Sequence, residues 1–217
     1  MGEPARAAML VALLDGRSLP ASELAAIAGV KAPTASTHLA QLVDGGLLVD
    51  RRIGRHRYFS LAGPDVADAV EALQRIAPRR TITSYRQSAT AERLAEARSC
   101  YDHLAGRAAL RLADALVGEG AVAPLAPGEP GRVLDVSRPL AARLRLGEID
   151  PVSGAGRNRR PVVRGCLDWT ERRPHLAGRV GAHLLDVLLE DGWFARVPGE
   201  RSLRVTAEGR AALDSIG

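Results

Sequence analysis

The sequence predicts a mainly α protein with small β-hairpins, an α+β fold divided into two domains. Three observations predict it. Apolar residues recur at helical spacing through the first third, interrupted by glycine turns and one arginine-rich hairpin. The pentapeptide HLAGR occurs at residues 103–107 and again at 175–179, each time shortly after one of the only two cysteines. The length, 217 residues, exceeds the usual single-domain size of about 100–150 residues.

The formal charge of +5 favours a polyanionic partner, because cations near phosphates release condensed counterions. All 30 basic residues except Lys31 are arginine, a compositional bias that makes placement, not net charge, the argument. The apolar run 7–14 is short, follows acidic Glu3 and lacks both a basic n-region and a small-residue cleavage site, so it does not read as a leader. No segment approaches the roughly 20 apolar residues needed to span a bilayer. A cytoplasmic protein without a membrane partner is therefore expected, with cysteines that serve as thiols or ligands rather than a disulfide framework.

Residues 4–14 carry Ala7, Leu10, Val11 and Leu14 on one helical face and stop at Asp15-Gly16. Pro20 stands at a helix start, residues 21–28 follow, and Gly29 supplies a left-handed end. Pro33 opens a third helix over 33–44. Two helices joined by a tight glycine-containing turn make a helix-turn-helix. In the third helix Ala35, Leu39, Leu42 and Val43 share one face; Thr34, Thr37 and Gln41 point away, with Ser36 and His38 on the flanks. Short polar side chains there let a helix lie in the major groove; a merely solvated polar face is the alternative. Residues 47–61 read as strand, turn and strand with Gly54 at the tip. Arg51, Arg52, Arg55, His56 and Arg57 crowd that hairpin against one acid, Asp50. A basic hairpin directly after a helix-turn-helix is a wing, placed to reach phosphate or the minor groove.

The string SELAAIAGVKAPTASTHLAQLVDGGLL followed by RRIGRHRYFSL resembles the winged-helix domain of the arsenic-repressor (ArsR/SmtB) family of bacterial transcriptional regulators, over about residues 4–77. The resemblance implies a homodimer that binds an imperfectly palindromic double-stranded DNA operator and represses until an inducer binds. It also implies a recognition helix at 31–44, beginning at Lys31, with Thr34, Ser36, Thr37 and His38 in the DNA-facing stretch. Metal sensors of the family carry a Cys-x-Cys pair near that helix or Asp and His ligands on the last helix. Residues 36–38 hold no cysteine and the helix expected at 64–76 holds no histidine, so the arsenic-sensing function does not transfer. For His38, a phosphate contact is expected.

The domain division expected is 1–77 for DNA binding, a polar linker at 78–92, and 93–217 as a sensing and dimerising domain of two winged-helix-like repeats, about 100–144 and 166–213. Beyond HLAGR the copies share Leu112/Leu184, Asp114/Asp186, Leu116/Leu188 and Gly120/Gly192. Each is expected to continue with a hairpin, PLAPGEPGRVLDVS or ARVPGERSLRVT, and a short helix. The arginine-rich stretch 157–160 reads as a solvated loop.

Both copies begin with Cys-x-Asp, at Cys100 and Cys166, but His103 follows Asp102 directly whereas six residues, 169–174, precede His175. Cys and His are natural zinc or copper ligands, and a low-pKa thiol is a natural oxidant sensor. Trp169, Arg172 and Arg173 beside Cys166 suit an anionic organic effector. Alternatively each Asp caps a helix and each Cys merely packs. The effector candidates are thus Cys100, His103, Cys166, Trp169, Arg172 and His175. If both cysteines start helices, a Cys2His2 set forms only where those starts converge, and the insertion displaces one His from its Cys. CYDHLAGR with CLDWTERRPHLAGR resembles a longer subgroup of the same family, which implies no particular effector. A repressor is the leading reading; a winged-helix protein-interaction module, or an enzyme using a Cys–His pair, are the alternatives. No phosphate loop, zinc-protease motif or serine elbow supports an enzyme.

Overall fold

The computed structural model describes residues 3–54, 56–77, 85–149 and 160–216, and the chain divides into two units, Met1–Arg79 and Arg80–Gly217. No helix among the described residues is long and apolar enough to cross a membrane.

The first unit is a winged helix-turn-helix. Helix α1 (Pro4–Ala12) is capped by the Glu3 carboxylate, which accepts from the Arg6 N–H at 2.9 Å. A short strand β1 (Leu19–Pro20) leads into α2 (Ala21–Ala28), which ends at Gly29 with φ 66, a left-handed cap that favours glycine. Helix α3 (Ala32–Asp44) follows, then β2 (Leu48–Ile53), β3 (His56–Leu61) and α4 (Pro64–Ile76). The sheet order is β1-β3-β2, antiparallel throughout, with Leu48 opposite Leu61 and Ile53 opposite His56. Leu10, Leu14, Leu24, Leu39, Leu42, Leu48 and Phe59 form the buried interior; Ala35, Leu39 and Leu42 of α3 pack as read from the sequence, but in α1 Ala5 and Met9 are buried with Leu10, whereas Ala7 and Val11 are only half-buried.

The second unit opens with α5 (Tyr85–Glu96), which corrects the linker expected at 78–92; residues 78–84 lie outside the described residues. The stretch is polar because its charged residues form an outer face that pairs with other elements: Glu92 and Glu96 accept from Arg107, and Arg93 pairs with Glu200. No proline or glycine interrupts it. After α5 come β4 (Arg98–Cys100), β5 (His103–Ala105), α6 (Arg107–Gly118), β6 (Pro130–Gly131) and α7 (Pro139–Arg143). Then follow β7 (Val163–Leu167), β8 (Pro174–Ala177), α8 (Gly178–Glu190), β9 (Phe194–Arg196), β10 (Leu203–Val205) and α9 (Ala207–Asp214).

A hairpin running straight into a helix thus occurs twice, as β4-β5-α6 and β7-β8-α8, and the packing is reciprocal: α8 lies on β5 and α6 on β8. Leu104, Leu112 and Leu116 meet their counterparts Leu176, Leu184 and Leu188 in one core. The expected wings differ. The second segment has its hairpin, β9 against β10, but the first has only a Val122–Val133 bridge, and its β6 pairs with β7 instead. Pro124, Pro127 and Pro130 remove the N–H donors a hairpin ladder would need.

The glycine of HLAGR has a specific task. Gly106 has φ 91 and ψ -174, and an added Cβ would lie 2.7 Å from the Ala95 carbonyl oxygen; at Gly178 φ is 78 and the corresponding approach, to the Pro161 carbonyl, is 2.6 Å. Backbone there is almost glycine-only and costs other residues about 1–3 kcal/mol before any overlap. Gly106→Ala is expected to lose roughly 3 kcal/mol or more in a urea melt. Gly120→Ala, with φ 77 but its nearest neighbour, a flexible arginine tip, at 3.9 Å, is expected to lose only about 1 kcal/mol.

Candidate functional site

Helix α3 is sorted into two faces. Ala35, Leu39 and Leu42 are buried, while Lys31, Thr34, Ser36, Thr37 and Gln41 are exposed. Thr37 Oγ1 donates to the Pro33 carbonyl at 3.3 Å, and Gln41 Oε1 accepts from Arg6 at 2.7 Å, so α1 steadies one end of the polar row. The N-cap residue is Lys31 and no side chain caps the helix, which leaves first-turn N–H groups beside a cation and open to an anion. His38 is not in the exposed row: it is half-buried, with Nε2 3.5 Å from the Glu3 carboxylate.

On the wing, Asp50, Arg52, Arg57 and Phe59 share one face of the β2–β3 ladder. Arg57 donates twice to Asp50, at 2.6 and 3.0 Å, and lies over the Phe59 ring at 5.2 Å. These hydrogen bonds hold the Asp50 carboxyl below its ordinary range. Arg57 is therefore pinned and its charge locally offset, whereas Arg51 and Arg52 are exposed along β2. His56 is exposed opposite Ile53, and Arg55 lies outside the described residues.

The second constellation is in the other unit. Both cysteines lie on strands, Cys100 on β4 and Cys166 on β7, not at helix starts. The insertion before His175 displaces nothing. Cys100 pairs directly across β4–β5 with His103, and Cys166 pairs directly across β7–β8 with His175. The extra residues lengthen the second hairpin by the Leu167–Pro174 pair and its loop, where Arg172 takes φ 57. The two hairpins meet with the sulfurs 3.9 Å apart and the imidazole centroids 5.1 Å apart. All four side chains are buried, and neither cysteine is in a disulfide. Trp169 and Arg172 are not part of this group: Arg98 covers the Trp169 ring at 4.6 Å, and Arg172 is exposed.

Two carboxylates, not foreseen as partners of the histidines, flank the cluster. Asp102 Oδ1 lies 3.3 Å from His103 Nδ1 and accepts a double hydrogen bond from Arg160, which is therefore not the solvated loop residue expected; residues 157–159 lie outside the described ones. Burial opposes the charge on Asp102, but His103 and Arg160 bring its carboxyl down to about 2. Burial likewise opposes a charged His103; the neighbouring Cys100 and the bond to Asp102 outweigh it and raise the ring to about 9. His175 is pushed well below its ordinary value by burial and by the neighbouring His103. Asp168 Oδ2 lies 3.6 Å from His175 Nδ1 and accepts from Arg98 at 2.9 Å and from the Gly106 N–H at 2.8 Å. Its other oxygen accepts from the Thr170 N–H at 2.8 Å and hydroxyl at 2.5 Å. Burial works against this charge too, and Arg98 and Thr170 hold the carboxyl far below its usual range. The repeated Cys-x-Asp was the signal in the sequence. Meanwhile His103 Nε2 and both ring nitrogens of His175 are buried with no hydrogen-bond partner, a cost of about 1–3 kcal/mol each.

A helix-turn-helix domain family matches residues 1–51. The uncharacterized HTH-type transcriptional regulator YdfF of Bacillus subtilis (strain 168) is 37% identical over 217 residues, 99% of this chain and 92% of the relative. Among solved structures, reduced HlyU from Vibrio cholerae N16961 is 28% identical, with 36% of this chain and 82% of that chain covered at a TM-score of 0.33. The homodimeric winged helix-turn-helix DNA-binding domain of Mb0332 from Mycobacterium bovis, a possible ArsR-family transcriptional regulator, is 28% identical, with 38% and 79% covered at a TM-score of 0.33.

The buried Asp168–Arg98 pair should dominate the stability of its unit. Removing one partner leaves the other charge uncompensated, so Asp168→Ala is expected to cost about 3–5 kcal/mol in urea unfolding. Asp168→Asn retains an acceptor for Gly106 or Thr170 and should cost less. A loss below about 1 kcal/mol in Asp168→Ala would contradict the pairing as drawn.

Proposed function

The chain belongs to the HTH-type transcriptional regulators, a DNA-binding class, and from that premise we propose that it is a repressor. It holds an imperfectly palindromic operator as a homodimer and lets go when the C-terminal half, residues 93–217, takes up an effector. One observation carries the reading: α3 buries Ala35, Leu39 and Leu42 while Thr34, Ser36, Thr37 and Gln41 stay exposed beside the arginine-rich wing. Thr34, Ser36, Thr37 and Gln41 read base edges or phosphate near them; Lys31 with the open helix N-terminus takes a phosphate. Arg51 and Arg52 contact the backbone, Arg55, His56 and Arg57 complete the wing, and His38 braces α3 against α1.

A single winged helix reads one half-site, so specificity calls for two, with recognition helices about 34 Å apart on one turn of DNA. Helix α4 supports such pairing because Leu73 and Ile76 are 43% and 79% exposed on it, an apolar edge suited to a second copy. Sedimentation at micromolar concentration is expected to show a dimer, and a monomer with and without DNA would overturn that part of the reading.

Gel shifts and salt titrations test the DNA face. Arg52→Ala is expected to weaken specific and random DNA alike and to lower the slope of log affinity against log salt by about 0.9. Asp50→Asn, which unpins Arg57, should strengthen binding to both. Thr37→Ala is expected to lose about 1–3 kcal/mol of discrimination at one base pair with an unchanged salt slope. Wing variants with wild-type salt dependence would remove the wing from the interface.

A further inference from the structure

We propose that Cys100, His103, Cys166 and His175 form a closed Cys2His2 site that binds one zinc ion, joining the two hairpins of the C-terminal unit.

Geometry comes first. In an antiparallel ladder, directly opposed residues put their side chains on the same side of the sheet. Each hairpin therefore offers one sulfur and one imidazole to the same side, and the two hairpins face one another. The edge of a tetrahedron is about 1.63 times the centre-to-vertex distance, so zinc–sulfur bonds of about 2.3 Å place two sulfurs about 3.8 Å apart. The Cys100 and Cys166 sulfurs are 3.9 Å apart. All four donor atoms lie within 4.8 Å of one another, so closing the set needs shifts on the order of 1 Å. A disulfide would require the sulfurs to approach to about 2.05 Å.

The unpartnered nitrogens point to the same ligand. His103 Nδ1 is engaged by Asp102, which turns Nε2, a buried atom without a partner, into the available donor. His175 Nδ1 faces Asp168 at 3.6 Å, and its Nε2 is likewise buried without a partner. A carboxylate behind each histidine is the outer-shell arrangement that fixes the ring orientation of a metal ligand. Here each carboxylate stands two residues after a cysteine and is gripped by an arginine: Asp102 by Arg160, Asp168 by Arg98. Asp102 and Asp168 are thus positioning residues.

Charge and softness select the ion. Two thiolates and two neutral imidazoles balance a divalent cation, so the loaded site buries no net ligand-plus-metal charge; a monovalent copper would leave one negative charge. Calcium and magnesium require oxygen ligands. Tetrahedral S2N2 suits zinc. Four protein ligands with no open position make a structural site, not a catalytic one. Metal binding then couples to folding of the unit, since both hairpins must be paired and in register before the four donors meet.

The test uses the full-length, reduced chain stripped with a chelator and titrated with Co(II), then Zn(II). One Co(II) per chain is expected, with the intense visible bands of a tetrahedral site and a thiolate-to-metal band in the near ultraviolet, both erased by one equivalent of zinc. Zinc should also raise the midpoint of thermal unfolding and shield both thiols from alkylation. Asp102→Asn should keep the tetrahedral spectrum while weakening zinc binding about 10–100-fold. Cys166→Ser should lose most of the sulfur band; if that variant does not fold, the wild-type spectrum and thiol protection decide alone. A wild-type chain that gives no sulfur-to-cobalt band, or a Cys166→Ser variant that binds cobalt as wild type does, would overturn the site. The inference stands apart from repression: a gel shift on the same samples reads DNA binding separately, so failure of either is recognised by itself.

Discussion

A single buried carboxylate organises the C-terminal unit. Asp168 accepts from Arg98 on β4, from the Gly106 N–H at the start of α6, and from Thr170 and Glu171 in its own loop. An ionised carboxylate out of water must find several donors or be neutralised, and these donors come from both hairpin–helix segments. Satisfying it therefore brings β4-β5 against β7-β8. Arg98, itself buried, is held by the Leu94 carbonyl of α5 and by the Trp169 ring, which extends the same network to a third element. The meeting of two cysteines and two histidines is a consequence of this juxtaposition.

The doubled pentapeptide acquires a meaning residue by residue. His103 and His175 face the cluster; Leu104 and Leu176 fill the shared core; Ala105 and Ala177 are small because Cys100 and Cys166 pack beside them. Gly106 and Gly178 turn each strand into its helix where backbone from another segment comes too close for a Cβ. Arg107 ties α6 to α5 through Glu92 and Glu96, while the Arg179 N–H donates to the Pro161 carbonyl at 3.1 Å. Five letters describe one junction, strand to helix, under the same packing demands twice.

In the N-terminal unit the constraint is one of faces. Burying Ala35, Leu39 and Leu42 under α1 and α2 compels the intervening positions of α3 outward, since 3.6 residues per turn admits no other sorting. The wing's charges are less free than their number implies, because Asp50 and Phe59 hold Arg57 while Arg51 and Arg52 project along the adjacent strand. Electrostatic reach is thereby concentrated on fewer side chains than a count of arginines indicates.

The winged helix was legible in the sequence because every signal that makes it is local. Helical periodicity, Pro33 and Gly29 at helix ends, and Gly54 at φ 58 between two strands act over a few residues. The identical leucines of the two HLAGR segments also declared themselves, being core positions at helical spacing. What tertiary structure alone decided is how distant pieces meet. Polarity at 78–92 read as a linker because the partner of Glu92, like those of Arg93 and Glu96 just beyond it in α5, lies on another element. Three prolines ruled out a wing after α6, and its short strand found β7 instead. His175 seemed displaced from Cys166 by six residues, yet hairpin register depends on which strand residues pair, not on the length of loop between them. Residues 66 apart, Cys100 and Cys166, come within 3.9 Å because a buried charge and a shared core demand that their hairpins face each other, and no local pattern encodes that distance.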